Sequence, residues 1–332
     1  MKKNFIAAFI IIFIFNPVKS QNSQSSQNSG KPIAEIFTDF HYSLKPSAST
    51  TGFNVNRAYF GYNYIADENF SATIKLNLGN PDDVLPVIEP RRYAYLREVS
   101  ILYSKDKLNL TMGMTTTRLF DFQQRFWGKR YVANTFQSLN NYGPTADLGI
   151  IADYKFSDIV DVDITLMNGE GYYKVQLDNN IKPSLGITIT PIKELAFRVY
   201  SDLIRIQGLW QRTYVGFAGF KNDKVTIGGE INYKSNLDLV KGHNAWGFSG
   251  TGAVSLTNKL EFFTRYDYTT SVIVPGDASQ WNLSKVGKFL INGFQYTFNN
   301  IVKVALDNQV YFPTDKTKAI TDLIFINAVF KF

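Results

Sequence analysis

Residues 321–332, TDLIFINAVFKF, form an alternating stretch that ends the sequence on an aromatic residue. Taken as a β-strand, it has an apolar face made by every second residue: Ile324, Ile326, Ala328, Phe330 and Phe332. Successive side chains of a strand point to opposite sides, so Asn327 and Lys331 lie on the other face. An unpaired edge strand this apolar would promote aggregation. In a closed membrane barrel the last strand pairs with the first and no edge remains, so the stretch predicts the closing strand of such a barrel.

The composition is compatible with a transmembrane barrel and excludes a helical membrane protein. Of the 332 residues, 45% are hydrophobic and 19% are charged, and the mean hydropathy is −0.14. Only alternate residues of a barrel strand meet lipid, so the average hydropathy stays near neutral. Aromatic residues make up 15% of the sequence, and cysteine is absent. The lack of thiols suits a protein that crosses an oxidising compartment.

The first twenty residues predict a cleavable signal peptide. Lys2 and Lys3 precede an apolar run, residues 5–15, that is too short to span a bilayer. Residues 21–31 are rich in Ser, Asn and Gln and predict a flexible linker. We therefore expect a chain exported to the outer membrane, with the barrel over residues 32–332.

The net charge does not indicate a nucleic-acid partner. The sequence has 35 Lys and Arg against 28 Asp and Glu, or +7. Lys2, Lys3 and Lys19 lie in the predicted signal peptide, so the exported chain would carry 32 cations against 28 acids, or +4. Much of the basic character is therefore part of the targeting signal.

From residue 32 onward, segments of about ten alternating residues are separated by connections that are long and short in turn. This pattern is typical of an outer-membrane barrel with short periplasmic turns and longer external loops. Seven turns and eight loops, the fifth at 203–211, predict an all-β fold: a transmembrane antiparallel β-barrel of about sixteen strands. The strand near residues 92–103 alternates poorly. The alternative, a soluble sandwich, would have to bury many unpaired charges at a high cost in free energy.

Charged residues recur on the polar face of the predicted strands. A barrel of about sixteen strands is too wide for side chains to fill and leaves an aqueous channel, in which charged groups stay hydrated. The candidate lumen-facing residues are Arg57, Lys75, Arg198, Glu230, Glu261, Arg265 and Asp267. The mixture of signs fits a general channel as well as an anion-preferring one.

The third loop, residues 116–144, is the longest connection and has an unusual composition. Its charged residues, which we take as candidates for a constriction, are Arg118, Asp121, Arg125, Lys129 and Arg130. The loop also contains six large aromatic side chains between Phe120 and Phe136. A loop folded into the barrel could pack these rings on the wall and direct its cations across the pore, because long loops with their own packing tend to be functional. The alternative is an external loop stabilised by its own aromatic residues.

Several short motifs along the chain resemble those of the family that includes the phosphate-selective porins O and P. They are RAYFGY from Arg57, NFSA from Asn69, FWG from Phe126, ADLG from Ala146, NGEGY from Asn168 and RYD from Arg265. The resemblance covers residues 32–332 and implies a sixteen-stranded outer-membrane barrel, often a homotrimer, with the third loop folded inward. It also implies that Phe332 is the C-terminal aromatic that marks such barrels for the barrel-assembly machinery. Phosphate selectivity in the family depends on dense arginine and lysine ladders, and this sequence has no comparably dense ladder.

The sequence thus predicts a channel for the passive diffusion of small hydrophilic solutes, with an anion preference set by the third loop. The alternative is a non-conducting outer-membrane barrel whose surface loops bind a partner. We expect no enzyme activity, because the two histidines, His41 and His243, have no recognisable nucleophile motif near them. We also expect no cofactor and no metal, since no His and Cys cluster is present.

Overall fold

The computed structural model describes residues 29–45, 49–79 and 93–332. Within these residues, sixteen β-strands account for most of the chain. They are β1 Ser29–Ser43, β2 Gly52–Ile65, β3 Phe70–Gly79, β4 Tyr93–Lys105, β5 Leu108–Thr116, β6 Ala146–Lys155, β7 Val160–Met167, β8 Lys182–Ile192, β9 Leu195–Ile206, β10 Leu209–Lys221, β11 Val225–Ser235, β12 Ala245–Ser255, β13 Leu260–Ser271, β14 Gly287–Thr297, β15 Val302–Pro313 and β16 Thr321–Lys331. Two short helices, α1 Asp121–Trp127 and α2 Phe136–Leu139, lie between β5 and β6, and a single 3-10 turn, Leu237–Leu239, lies between β11 and β12. Across the described ranges, no helix is long and apolar enough to cross a membrane.

The strands form one closed antiparallel barrel in which each pairs with its neighbours in the sequence. β16 closes the barrel on β1, with Glu35 opposite Lys331 and Ser43 opposite Leu323. Beyond β16 the ladder continues, because Phe332 and Ala34 exchange two backbone hydrogen bonds of 3.0 and 3.2 Å. Every strand edge is therefore paired, and the predicted all-β barrel of sixteen strands is confirmed, as is the closing role of residues 321–332.

The two faces of each strand differ in the way that a membrane barrel requires. On β16 the outward residues Ile326 and Phe330 are 49% and 40% exposed, whereas the inward Asn327 is 1% exposed. The same contrast recurs around the barrel, where outward Leu, Ile, Val, Phe and Tyr side chains remain exposed while inward polar and charged side chains are buried. An apolar outer belt of this kind matches lipid, and a polar interior matches an aqueous lumen.

The connections alternate in length as predicted, except at the fifth loop. β9 ends at Ile206 and β10 begins at Leu209, so the connection is a two-residue turn rather than the long loop expected at 203–211. Gln207 and Gly208 both have positive φ, 49° and 85°. This is the geometry of a type I′ turn, whose twist matches that of the strands it joins.

Two further predictions concern the limits of the barrel. β1 begins at Ser29, and Ser29, Gly30 and Lys31 pair with the end of β2. These three residues, predicted to be linker, belong to the barrel because β2 extends far enough to supply their hydrogen-bond partners. The rest of the linker and the predicted signal peptide lie outside the described residues.

The poor alternation of β4 has a structural cause. Lys75 of β3 lies opposite Glu98, but the next residue, Leu76, lies opposite Leu96, so Arg97 is an extra residue in the ladder. Such a β-bulge shifts the period of two by one residue. As a result, the neighbours Arg97 and Glu98 both avoid the lipid face, and the Arg97 side chain is only 3% exposed.

Candidate functional site

The third connection, which we call L3 (residues 117–145), lies inside the barrel. Its apolar side chains are buried: Leu119, Phe120, Phe136 and Tyr142 are each no more than 1% exposed. Trp127 makes an edge-to-face contact with Phe263 on the inner face of β13, with ring centroids 5.9 Å apart. The path of L3 is helped by Gly128, which ends α1 in a left-handed conformation (φ 69°) and donates its backbone N–H to Gln124 O at 2.9 Å. Glycine adopts this conformation without the steric cost that other residues have.

Side chains of the barrel wall donate hydrogen bonds to the backbone of L3 at several points. Arg198 of β9 donates to Arg118 O at 3.1 Å, and Arg265 of β13 donates to Asn134 O at 2.5 Å. Lys234 of β11 and Gln309 of β15 donate in the same way to the carbonyls of residues 142 and 132, at 2.5 and 3.2 Å. These bonds satisfy loop carbonyls that no regular secondary structure would satisfy, and they fix L3 to the half of the wall formed by β9 to β15.

Two predicted lumen residues, Arg198 and Arg265, therefore hold L3 in place while they are paired with carboxylates. Arg198 makes a two-pronged contact with Asp163, at 2.6 and 3.1 Å. Arg265 makes one with Asp267, at 2.8 and 2.6 Å. Bidentate pairs of this kind are strong and directional, so these cations are engaged with the wall and the loop rather than with a solute.

Most of the predicted constriction cations of L3 are also paired. Arg118 contacts Asp153 through two bonds of 2.8 and 2.7 Å, and Lys129 lies 2.5 Å from Glu261. Burial lowers the pKa of Lys129, and the charge of Glu261 offsets this effect only in part. Burial acts in the same direction on Arg118, but the bonds to Asp153 outweigh it and raise the pKa of Arg118.

Other predicted constriction and lumen-facing residues also form contacts within the protein. Arg125 pairs with Asp121 at 2.7 Å within α1, and its side chain is 68% exposed. Lys75 of β3 pairs with Glu98 of β4 at 2.6 Å. Glu230 of β11 accepts a hydrogen bond from Gln137 of α2 and so becomes another anchor of the loop.

Arg130 differs from the other L3 cations because it lines the same cavity as Arg97 of β4, and its charge interacts with those of Arg97 and of Arg57 on β2. Its Nη1 donates to Gln124 Oε1 at 2.5 Å, within L3 itself. Burial is the main cause that lowers the pKa of Arg130 to about 10, and the charges of Arg57 and Arg97 add to it. At neutral pH the guanidinium is therefore still protonated.

Three arginines and three tyrosines lie near one another in the lumen, and we call them the eyelet cluster. They come from β2, β4, L3 and the connection between β7 and β8: Arg57, Tyr59, Tyr95, Arg97, Arg130 and Tyr172. Arg57 Nη1 donates to the Tyr59 hydroxyl at 3.4 Å, and the Arg97 guanidinium lies 5.1 Å from the centre of the Tyr172 ring. The cluster lies away from the anchors on β9 to β15; of its members, Arg130 belongs to L3 and Arg97 donates to Thr145 O at the end of L3.

The eyelet cluster contains buried donors without a protein partner among the described residues. These are Nε and Nη1 of Arg97 and Nε and Nη2 of Arg130. Arg97 Nη2, in contrast, donates to Thr145 O at 2.9 Å. A buried N–H group without a protein partner is costly, so these four groups are available to water, an ion or a bound solute.

The described residues enclose a cavity on each side of L3. The cavity on the side of the long loops has a volume of about 930 Å³, and its charged lining residues are Arg57, Lys174, Lys182, Lys234, Lys285, Glu170 and Asp238. The cavity on the side of the short turns has a volume of about 350 Å³, with Lys75, Arg97, Arg125, Arg130, Lys303, Lys331 and Glu35 as charged lining residues. Among the described residues that line these two cavities, cations therefore outnumber acids on both sides of L3.

Four members of the eyelet cluster are not among the residues predicted from the sequence: Tyr59, Tyr95, Arg97 and Tyr172. The available signal was the broken alternation of β4, because a β-bulge next to a functional site often re-aims a side chain. The tyrosines gave no such signal, since the belts of a barrel are rich in the same residue.

The predicted absence of enzyme activity and of a metal stays a prediction. His41 Nδ1 lies 2.7 Å from Asp39 Oδ1 on the inner face of β1. In the part of the chain that the structure describes, no three potential metal ligands come together.

Comparison with known proteins gives similarity at the level of the fold. No protein-family model matches the sequence, and no curated protein sequence matches it. The structure is similar to that of OmpF of Salmonella typhi in complex with daunomycin, with a TM-score of 0.70 and 9% identity over 92% of this chain and 98% of that chain. It is also similar to the outer membrane channel DcaP of Acinetobacter baumannii, with a TM-score of 0.65 and 12% identity over 94% and 99% of the two chains.

A third similar structure is the trimer form of OmpT, an outer membrane protein of Vibrio cholerae, with a TM-score of 0.63 and 10% identity over 92% and 99% of the two chains. These identities are low, and the similarity does not single out the phosphate-selective porins O and P, so that part of the resemblance stays a prediction. The chain has the closed sixteen-stranded fold of the porin-like outer-membrane barrels.

Proposed function

We propose that this protein is an outer-membrane diffusion channel for small hydrophilic solutes that prefers anions at the eyelet cluster. The observation that carries the proposal is the position of L3. The loop is anchored inside a closed barrel mainly to β9 to β15. Two arginines of the facing wall, Arg57 and Arg97, form the cationic part of the eyelet cluster together with Arg130 of the loop itself. A solute that crosses from one cavity to the other passes these guanidinium groups.

The charge distribution supports anions rather than cations. Arg118 and Lys129 are each paired with a carboxylate, so the preference rests mainly on Arg57, Arg97 and Arg130. A narrow passage with low-dielectric walls focuses the field of its charges and raises the local concentration of counter-ions. Guanidinium donors that lack a protein partner can replace part of the hydration shell that an anion loses on entry.

The proposal includes the location and partners of the barrel. The apolar outer belt would lie in the lipid bilayer of the outer membrane, which the chain would reach through its predicted signal peptide. Phe332 would be the residue that the barrel-assembly machinery recognises; its ring is 57% exposed and available for such a contact. A homotrimer is the proposed assembly, in line with the trimer form of the similar Vibrio cholerae OmpT.

Planar-bilayer recording tests the channel directly. The purified protein should give ohmic current steps, and the reversal potential in a KCl gradient should have the sign of chloride preference. Arg97→Gln and Arg130→Gln should each shift the reversal potential towards zero, because each removes one of the three cations of the eyelet cluster.

The matched control is Lys193→Gln, which removes a cation whose side chain is 89% exposed, in the turn between β8 and β9. Its reversal potential should equal that of the wild type. A folded protein that gives no current steps would favour the non-conducting barrel that binds a partner. Current steps with unchanged selectivity in both arginine variants would show that the eyelet cluster does not set the preference.

A further inference from the structure

A group of tyrosine rings borders the arginines on the side of the long loops. Tyr95 lies 5.6 Å from Tyr172 and 6.1 Å from Tyr173, measured between ring centroids. Tyr172 and Tyr173 are 4.2 Å apart. The Tyr95 hydroxyl accepts a hydrogen bond of 2.7 Å from Asn77 Nδ2, which fixes the orientation of this ring. Tyr95 and Tyr173 are partly exposed, whereas Tyr172 is 7% exposed and packs against both, so Tyr95 and Tyr173 present a preorganised aromatic surface inside the barrel.

The rings and the arginines follow one another along the path of a solute. Tyr95, Tyr172 and Tyr173 line the larger cavity together with Arg57. Arg97 and Arg130, with the unpartnered guanidinium nitrogens, line the smaller cavity on the other side of L3. The Arg97 guanidinium lies over the Tyr172 ring, so the group of arginines and the group of tyrosines are in contact there.

We propose that the eyelet cluster binds organic anions that carry an aromatic ring, such as an aromatic carboxylate. This inference rests on the proposed function and specifies its substrate class. The carboxylate would accept hydrogen bonds from Arg97 and Arg130, whose planar donors suit two parallel bonds to one carboxylate. The ring would lie against the tyrosines, where aromatic pairs gain energy beyond the burial of their area.

Stabilisation of the wall accounts for only part of this arrangement. Nη2 of Arg97 donates to Thr145 O, but the contact between Arg97 and Tyr172 leaves Nε and Nη1 of Arg97 buried without a partner among the described residues. Arg265, which supports L3, has Nε, Nη1 and Nη2 all bonded, and Arg198 leaves only Nε without a partner. An inorganic anion would satisfy the donors but would leave the tyrosine surface unused.

The test is block of the KCl current by benzoate added to either side of the bilayer. Benzoate should reduce the wild-type current in a concentration-dependent way, and cyclohexanecarboxylate, of similar size but without a flat ring, should be weaker. Tyr173→Leu should raise the half-blocking concentration of benzoate by roughly tenfold, the factor that corresponds to about 1.4 kcal/mol of stacking. Its reversal potential in a KCl gradient should stay that of the wild type, because Tyr173 is not a member of the eyelet cluster and all three arginines remain.

The outcomes separate this inference from the proposed function. An anion-selective wild-type channel that benzoate does not block, or that both carboxylates block equally, overturns the aromatic site and leaves the channel. A channel that is not anion-selective overturns the proposed function itself. If Tyr173→Leu fails to fold, as judged by heat-modifiable migration, Tyr95→Leu replaces it with the same expected rise in the half-blocking concentration. An unchanged half-blocking concentration in the folded variant overturns the inference.

Discussion

Replacing Arg265 by Gln should destabilise the barrel and loosen the middle of L3. The Arg265 side chain is 2% exposed, and its two bonds to Asp267 measure 2.8 and 2.6 Å. In Arg265→Gln the Asp267 carboxylate, which is 4% exposed, keeps its charge but loses its cation. Removing one partner of a buried ion pair costs about 3–5 kcal/mol. The lost hydrogen bond to Asn134 O adds about 1 kcal/mol.

Two measurements check this prediction. Unfolding by urea in lipid vesicles gives the free energy of unfolding, and tryptophan fluorescence can follow it, because Trp127 lies 5.9 Å from the Arg265 guanidinium. Single-channel recording reports on L3, since a loop that has lost an anchor should add current noise and brief closures to the open channel.

The double variant Arg265→Gln, Asp267→Asn separates the ion pair from the anchor. It leaves no uncompensated carboxylate, so it should be more stable than Arg265→Gln alone. It still lacks the strong bond to Asn134 O, so its current should remain noisy. If Arg265→Gln unfolds at the wild-type urea concentration, the pair does not stabilise the barrel. A quiet channel in both variants would contradict the anchoring role of Arg265.

Four other changes have expected outcomes. Gly247→Ala should destabilise the barrel by about 1–3 kcal/mol through overpacking, because the new Cβ would clash with the backbone oxygen of Tyr268 and lie 2.6 Å from Phe136 Cζ of α2; urea unfolding measures the loss. Gln207→Asn should raise the stability slightly, because Asn followed by Gly208 is the preferred pair for a type I′ turn, and Gly208→Ala should lower it. Deletion of Phe332 should reduce the amount of barrel inserted into outer membranes, measured by heat-modifiable migration, without a change in the reversal potential of the channels that form.

The sequence was sufficient to predict the barrel because its strands alternate with few interruptions. Residues 321–332 show the pattern most clearly, and their inward and outward residues match the structure. The fifth loop was predicted to be long because residues 207 and 208 are Gln and Gly. A two-residue turn is usually indicated by Asn-Gly or Asp-Gly, and only the glycine of that pair is present here. The bulge is also the reason that Arg97 was not predicted to face the lumen, because a strict period of two assigns the adjacent residues Arg97 and Glu98 to opposite faces.

The arrangement of the site could be predicted only in part. The composition of L3 indicated a loop with cations and packed rings, but its partners lie far away in the sequence. Arg118 pairs with Asp153, and Lys129 pairs with Glu261. Such pairs depend on the register of strands and the path of L3, which are set by tertiary packing rather than by local pattern. Hence the sequence could not separate the paired cations of L3 from Arg130.

L3 is attached mainly to β9 to β15, and this divides the wall of the barrel into two parts with different tolerances. Changes on β9 to β15 would remove most supports of the loop, and selection for a folded protein would eliminate many of them. Arg57 and Tyr59 on β2 and Tyr95 on β4 lie outside that part, where substitution leaves those supports intact, whereas Arg97 on β4 also donates to Thr145 O of L3. Under the proposed function, a library limited to Arg57, Tyr59 and Tyr95 should yield mostly folded channels with varied solute preferences, so a new selectivity could arise without rebuilding the supports of L3.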